Sequence, residues 1–243
     1  MAQHGKDTVV LHNQYNLTSS LDSASIDRSI AALDTTVFGL NSRTYKPGQK
    51  DGTISVEGFA DPAAAGIDTI LSNSFGSAST SVTVSLGQTA GSNAYLMDAI
   101  ENQYSTSSSV TEMVRITGEY QAAQDGVDAG VLLLPVTTAT SAGFVNGDTY
   151  DRGTATKTGA VGILHVTATD RTDADETMDV LIQHSASSDM SGATTLIAFT
   201  TGTTVPVAER VETTTDPLRY IRASYTIAGT TPSFTFAVSW AAR

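Results

Sequence analysis

Apolar residues recur at every second position in short runs along the whole chain, and this pattern constrains the fold more than any other feature. Ile54 and Val56 alternate with Thr53, Ser55 and Glu57. Val82, Val84 and Leu86 alternate with Ser81, Thr83 and Ser85. Val114, Ile116 and Tyr120 share one face of residues 112–120, with Arg115, Thr117 and Glu119 on the other. Residues 162–168 and 179–184 are two further strands. Ile221, Ala223, Tyr225 and Ile227 form another one-faced run, as do Phe234, Phe236, Val238 and Trp240. A period of two with one apolar face belongs to half-buried strands of antiparallel sheets. Thr and Val, stiff at χ1, suit that pleated surface. The expected class is mainly β.

One or two short helices interrupt this pattern. Asp61 followed by Pro62 offers an N-cap and a first helical residue, and Ile67, Ile70 and Leu71 fall at helical spacing. The spacing predicts a helix over about residues 62–74. Leu96, Ile100 and Tyr104 share a helical face as well, which makes residues 93–104 a second candidate.

Charge narrows the partners. Among 243 residues, 13 Lys plus Arg stand against 25 Asp plus Glu, a net charge of −12. Such a chain does not wrap nucleic acid by neutralising phosphates, and anionic membranes repel it. The chain has no cysteine, which removes disulfides, thiolate metal sites and cysteine nucleophiles. No basic segment precedes an apolar run near the start, so no secretory signal is expected, and no apolar run is long enough to span a bilayer.

Residues that carry chemistry elsewhere read here as structural. There is no His-Glu-x-x-His, no Walker A loop and no Gly-x-Ser-x-Gly elbow. His165 and His184 lie in strands and could meet across a sheet, but no third ligand is spaced to join them, so hydrogen-bonded strand histidines are the better reading. The acidic stretch 170–176 could collect weakly bound calcium over residues 170–179; it lacks the glycine and distal glutamate of a calcium hand and reads as a solvated turn. Asn16-Leu17-Thr18 matches a glycosylation sequon, which has no meaning without a secretory route. The stripe Phe234, Phe236, Trp240 is expected in the core rather than as a sugar platform. No nucleophile–base pair stands out, so the chain is read as a non-enzyme without cofactor or metal.

The chain is expected to divide near residue 135, with both parts acidic. Residues 25–59 are the most distinctive stretch. A polar-alternating strand leads into Asp34-Thr35-Thr36-Val37-Phe38-Gly39, and Tyr45-Lys46-Pro47-Gly48 and a second strand follow. This is a long hairpin whose arm, about residues 34–51, gathers Arg43, Lys46 and Lys50. A long loop inside a compact domain usually has a job. A basic arm on an acidic body suits docking onto another copy of that body.

In order, these elements resemble the major tail tube proteins of long-tailed, siphovirus-like bacteriophages. The matching residues are Asp7 to Leu11, the Asp34–Gly39 block, the Tyr45–Gly48 turn, and Asp51-Gly52 leading into Ile54, Val56 and Phe59. The resemblance covers roughly the first half. It implies an antiparallel β-sandwich or barrel tube domain over residues 1–135, followed by an all-β sandwich domain over residues 136–243. It also implies rings that stack into a tube, with strands 23–30 and 52–58 lining the lumen. Phe38, Arg43, Tyr45, Lys46 and Lys50 would then be inter-ring contacts. Implied partners are copies of the same chain in hexameric or trimeric rings, the tape measure and the tail tip. DNA would pass without specific binding. The implied location is the virion tail, after synthesis in the host bacterial cytoplasm. A head decoration or tail-tip protein, or a carbohydrate-binding β-sandwich, are the alternatives the sequence leaves open. Removing residues 40–50 is expected to spare the fold and block stacking.

Overall fold

The computed structural model describes residues 4–61, 63, 66–153, 156–170, 175–200 and 207–243. The strands of the first half are β1 (Val9–His12), β2 (Tyr15–Asn16), β3 (Leu21–Asp34), β4 (Tyr45–Phe59), β5 (Thr80–Ser85), β6 (Ser92–Ser109) and β7 (Glu112–Ala122), with the helix α1 (Ile67–Ser74) between β4 and β5. Then come β8 (Asp128–Ala139), β9 (Gly143–Asn146), β10 (Tyr150–Asp151), β11 (Ala160–Asp170) and β12 (Thr177–Ser185). The last four are β13 (Thr194–Ala198), β14 (Ala208–Thr213), β15 (Tyr220–Ala228) and β16 (Ser233–Ala242).

The chain forms two compact units that interleave in sequence. The first comprises residues 1–19, 81–96 and 128–243, and the second residues 20–80 and 97–127. Pro135, where the sequence suggested a break, lies inside β8. β8 pairs with β16 on one side and with the start of β6 on the other, so its backbone hydrogen bonds tie it into one unit throughout. Local composition carries no sign of those distant partners.

The first unit is a β-sandwich. One sheet runs β14-β11-β16-β8 and on through the start of β6 to β5, β1 and β2; the other runs β10-β15-β12-β13, with β9 also on β15. Leu133, Phe236 and Trp240 from the first sheet share a core with Ile182, Ile197 and Ile221 from the second. Tyr225 meets Phe236 edge-to-face at 5.0 Å, the geometry an aromatic quadrupole favours. β11 is buried on both faces. Its Leu164 and Val166 join that core, whereas Val161 and Ile163 pack with Val9, Leu11 and Leu132. This explains why β11 reads as an almost unbroken apolar run. Phe234, Phe236 and Trp240 all lie in the interior.

The second unit is an antiparallel sheet in the order β3-β4-β7-β6, with α1 on one face. The residues of the second expected helix, 93–104, belong to β6. Ile100, central to the supposed helical stripe, is exposed, while Leu96, Met97, Ala99 and Glu101 are buried. β6 thus alternates in two phases, before and after Leu96, and pairing with β8 and then β7 outweighs the helical spacing. The expected helix over 62–74 begins later, at Ile67, after Gly66. Asp61 does not cap it; its Oδ1 accepts from the Ala63 amide at 3.0 Å, closing a local turn instead. Pro62 lies outside the described residues, as do 171–174 of the acidic stretch considered for calcium.

Candidate assembly surface

The second unit's sheet has two chemically distinct faces. On one, Ile54, Val56, Ile116 and Tyr120 are buried, and Leu71 of α1 reaches toward Gly118. A Cβ on Gly118 would stand 3.3 Å from Leu71 Cδ1, so glycine there lets the helix sit close to the strand. The other face is polar. Register places Ser25 beside Ser55 and Asp27 beside Thr53. It also places Ser55 beside Glu119, Glu57 beside Thr117, and Ser105 beside Thr117. Asp27, Asp51, Glu57 and Glu119 put carboxylates on this face, with Arg115 among them. Gln121 bonds Asp51 across it.

Polar groups are trapped between helix and sheet. Ser74 Oγ donates to Glu101 Oε2, and Tyr104 Oη donates to Asp68 Oδ1. Glu101 is fully buried, and its Oε1 has no hydrogen-bond partner among the described residues. Burial pushes its carboxyl up to about 7, against a smaller lowering by the Ser74 hydrogen bond. Tyr104 is pushed up to about 12, first by desolvation and then by the Asp68 bond.

β3 and β4 continue past their neighbours as a two-stranded ribbon. β4 pairs with β7 only from Thr53 to Phe59. Beyond that, Ile30 faces Lys50, Ala32 faces Pro47, Leu33 faces Lys46 and Asp34 faces Tyr45, with a bulge between Ile30 and Ala32. At roughly 3.3 Å per residue the unsupported part spans on the order of 25 Å. Pro47, which cannot donate to a ladder, is tolerated in such an edge. The loop at the end is residues 35–44, shorter than the expected arm of 34–51, because the ladder runs on to Asp34 and Tyr45. Thr36 Oγ1 accepts from the Thr44 amide at 3.0 Å, and the Thr35 amide donates to Thr44 O at 2.9 Å. Asp34 accepts from the Thr36 amide at 2.9 Å; the Thr36 side chain first, and this amide second, hold its carboxyl below the usual range. Gly39, at φ +92°, makes the turn. At its base the ribbon is anchored: Arg28 Nε donates to Val127 O at 2.9 Å.

No known family model matches the sequence, and no curated protein does. Among solved structures the chain is similar to a component of the virion of a native gene transfer agent particle: 15% identity, 53% of this chain and 98% of that one, TM-score 0.43. It is similar to a component of an extracellular contractile injection system, the PVC sheath-tube complex: 16% identity, 54% and 93%, TM-score 0.44. It is similar also to the SPP1 tail tube: 14% identity, 53% and 78%, TM-score 0.44.

All five residues expected at a contact surface lie exposed on the ribbon. Phe38 and Arg43 are in the loop, Tyr45 and Lys46 open β4, and Lys50 lies further along that strand. Phe38 is as exposed as a side chain can be, at 107%. Sequence reasoning missed Ile30, Leu33, Val37 and Leu40, which are exposed on the same ribbon. Their signal was present: apolar residues in and beside the long arm that the sequence marks over residues 34–51. The two strand histidines do not sit together. His165 meets Thr83 Oγ1 at 2.9 Å and the Asn13 carbonyl at 2.7 Å, whereas His184 Nδ1 accepts from the Leu218 amide at 3.2 Å. The described residues include no group of three or more His, Asp or Glu arranged to hold a metal ion.

Proposed function

We propose that this protein is a structural virion protein that self-assembles into stacked rings, forming the tail tube of a long-tailed bacteriophage. The observation that carries this reading is the two-faced sheet of the second unit. One face is sealed by α1 and the other is polar and rich in carboxylates. Among the described residues β3 pairs only with β4, so its outer edge is free for a strand from a neighbouring copy. Such an edge in an isolated chain invites uncontrolled pairing, and closure into a ring removes it. With the polar face turned inward, the ring becomes an acidic lumen. Carboxylates there repel DNA phosphates, so DNA passes without binding.

The role is non-enzymatic. The unsupported ribbon then reaches from one ring to the next, with Phe38, Arg43, Tyr45, Lys46 and Lys50 as contact residues. A ribbon of two strands is marginal by itself, so docking gives it a purpose. Hexameric rings are favoured over trimeric ones, with the tape measure and tail tip as further partners. The protein resides in the virion tail after synthesis in the host bacterial cytoplasm. The glycan-binding alternative loses its platform, because Phe234, Phe236 and Trp240 are interior.

Electron microscopy of the concentrated protein, with and without purified tail tips, tests this reading. Hollow tubes of stacked rings are expected. A chain that stays monomeric under both conditions overturns it.

A further inference from the structure

The second unit carries an apolar tip at each end of one sheet. β4 leaves the ribbon loop at Tyr45 and ends at Phe59, which pairs with Arg115 near the start of β7. Ser109 and Glu112 close the β6–β7 turn there. The far end of the sheet is therefore built from Phe59, that turn and the first residues of β7. Val110 is 105% exposed and Met113 66%, and Val114 and Phe59 are also exposed. Three large apolar side chains within five residues of one turn, with Phe59 at the end of the neighbouring strand, are more than scattered surface residues. At the opposite end, Val37, Phe38 and Leu40 are exposed on the ribbon loop.

The two ends carry opposite charge. Arg28, Arg43, Lys46 and Lys50 are exposed on the ribbon, against Asp34 and Asp51. Asp22, Glu57, Asp61 and Glu112 are exposed at the far end. Arg115 lies among them, 2.9 Å from Asp22 and 3.6 Å from Glu57, with its guanidinium over the Phe59 ring. Like ends brought together repel. Unlike ends attract, and a contact between unlike ends does not close on itself.

We propose that the far end, Phe59, Val110, Met113 and Val114 with Glu57 and Glu112, is the surface that receives the ribbon tip of a second copy of this chain. This rests on the stacked-ring reading and adds to it the receiving residues and a polarity: every copy presents a basic apolar tip at one end and an acidic apolar seat at the other.

Charge exchange in the full-length protein tests it. A tip variant carries Arg43→Glu and Lys46→Glu, and a seat variant carries Glu57→Lys and Glu112→Lys. Each alone should need at least about tenfold more protein to form stacks than the wild type, a change of about 1.4 kcal/mol. An equimolar mixture should stack again, because each tip then meets a seat of opposite sign. Val110→Ser, at a position with no packing to lose, should weaken stacking without altering thermal unfolding. The chain's lack of cysteine permits a second readout: Phe38→Cys and Val110→Cys copies should cross-link between rings only when mixed. If the seat and Val110 variants stack like the wild type while the tip variant fails, the tip docks elsewhere; the seat is then wrong and the stacked-ring reading stands. Cross-links confined within single rings, or a mixture that does not recover, also overturn the seat. A wild-type protein that forms no stacks overturns both.

Discussion

Val127 packs directly on the backbone of Gly52. A Cβ at Gly52 would stand 2.6 Å from Val127 Cγ2 and 2.7 Å from the Asp27 carbonyl. The contact holds the segment before β8 against the base of the ribbon, where Arg28 also bonds the Val127 carbonyl. Gly52→Ala should force that segment away and cost about 1–3 kcal/mol, the usual range for overpacking. Urea unfolding of the variant beside the wild type measures this; an unchanged midpoint contradicts the packing.

The buried carboxyl of Glu101 makes stability fall as pH rises. Its folded value of about 7 lies above the unfolded value near 4.5, so between these the folded state binds more protons. The neutral carboxyl is the form the site accepts, and stability is lost as pH climbs through the window. The loss is on the order of 2 kcal/mol. Glu101→Gln should flatten this part of the pH profile, read as unfolding midpoint from pH 4 to pH 8.

His12 and His165 impose the opposite slope. Both are buried and held neutral, down to about 4, first by burial; for His12 the nearby His165 adds to it. The unfolded value is 6.5, so stability is complete above it and falls as pH drops toward 4. Proton NMR of the imidazoles should show both rings still neutral at about pH 5, well below the ordinary histidine value of 6.5. A pair that protonates near 6.5 contradicts the buried assignment.

The ribbon loop is expected to be dispensable for folding. Among the described residues, the hydrogen bonds of residues 36–43 stay within the ribbon and its turn. Replacing them by Asn-Gly preserves the β3–β4 ladder with a tight hairpin turn. The unfolding free energy should change by less than about 1 kcal/mol. Stack formation, followed by sedimentation, should be lost.

Much of the second unit was legible in sequence. Ile54 and Val56 on β4, and Ile116 and Tyr120 on β7, alternate with polar residues, and the structure buries that face. The ribbon was legible too, because Tyr45-Lys46-Pro47-Gly48 and the basic residues stand out from an acidic chain. The far-end seat was not. Val110 and Met113 follow a serine-rich run in which nothing local says that their strand pairs with the end of β4 at Phe59, some fifty residues earlier in the chain.

The sequence by itself determined the class of structure and the chemistry of each strand face, because a side-chain period of two is a local property of an extended backbone. Tertiary structure alone decided that residues 93–104 are strand, since the hydrogen-bond partners that make them so lie on β7 and β8. It decided that Pro135 lies inside a strand and that two units share the chain in alternating pieces. It decided too that Glu101 is buried beneath a helix while Ile100 beside it is in water. Pairing and burial depend on residues far apart in the chain, and a strand's own sequence sets which side is apolar without naming the partner that will cover it.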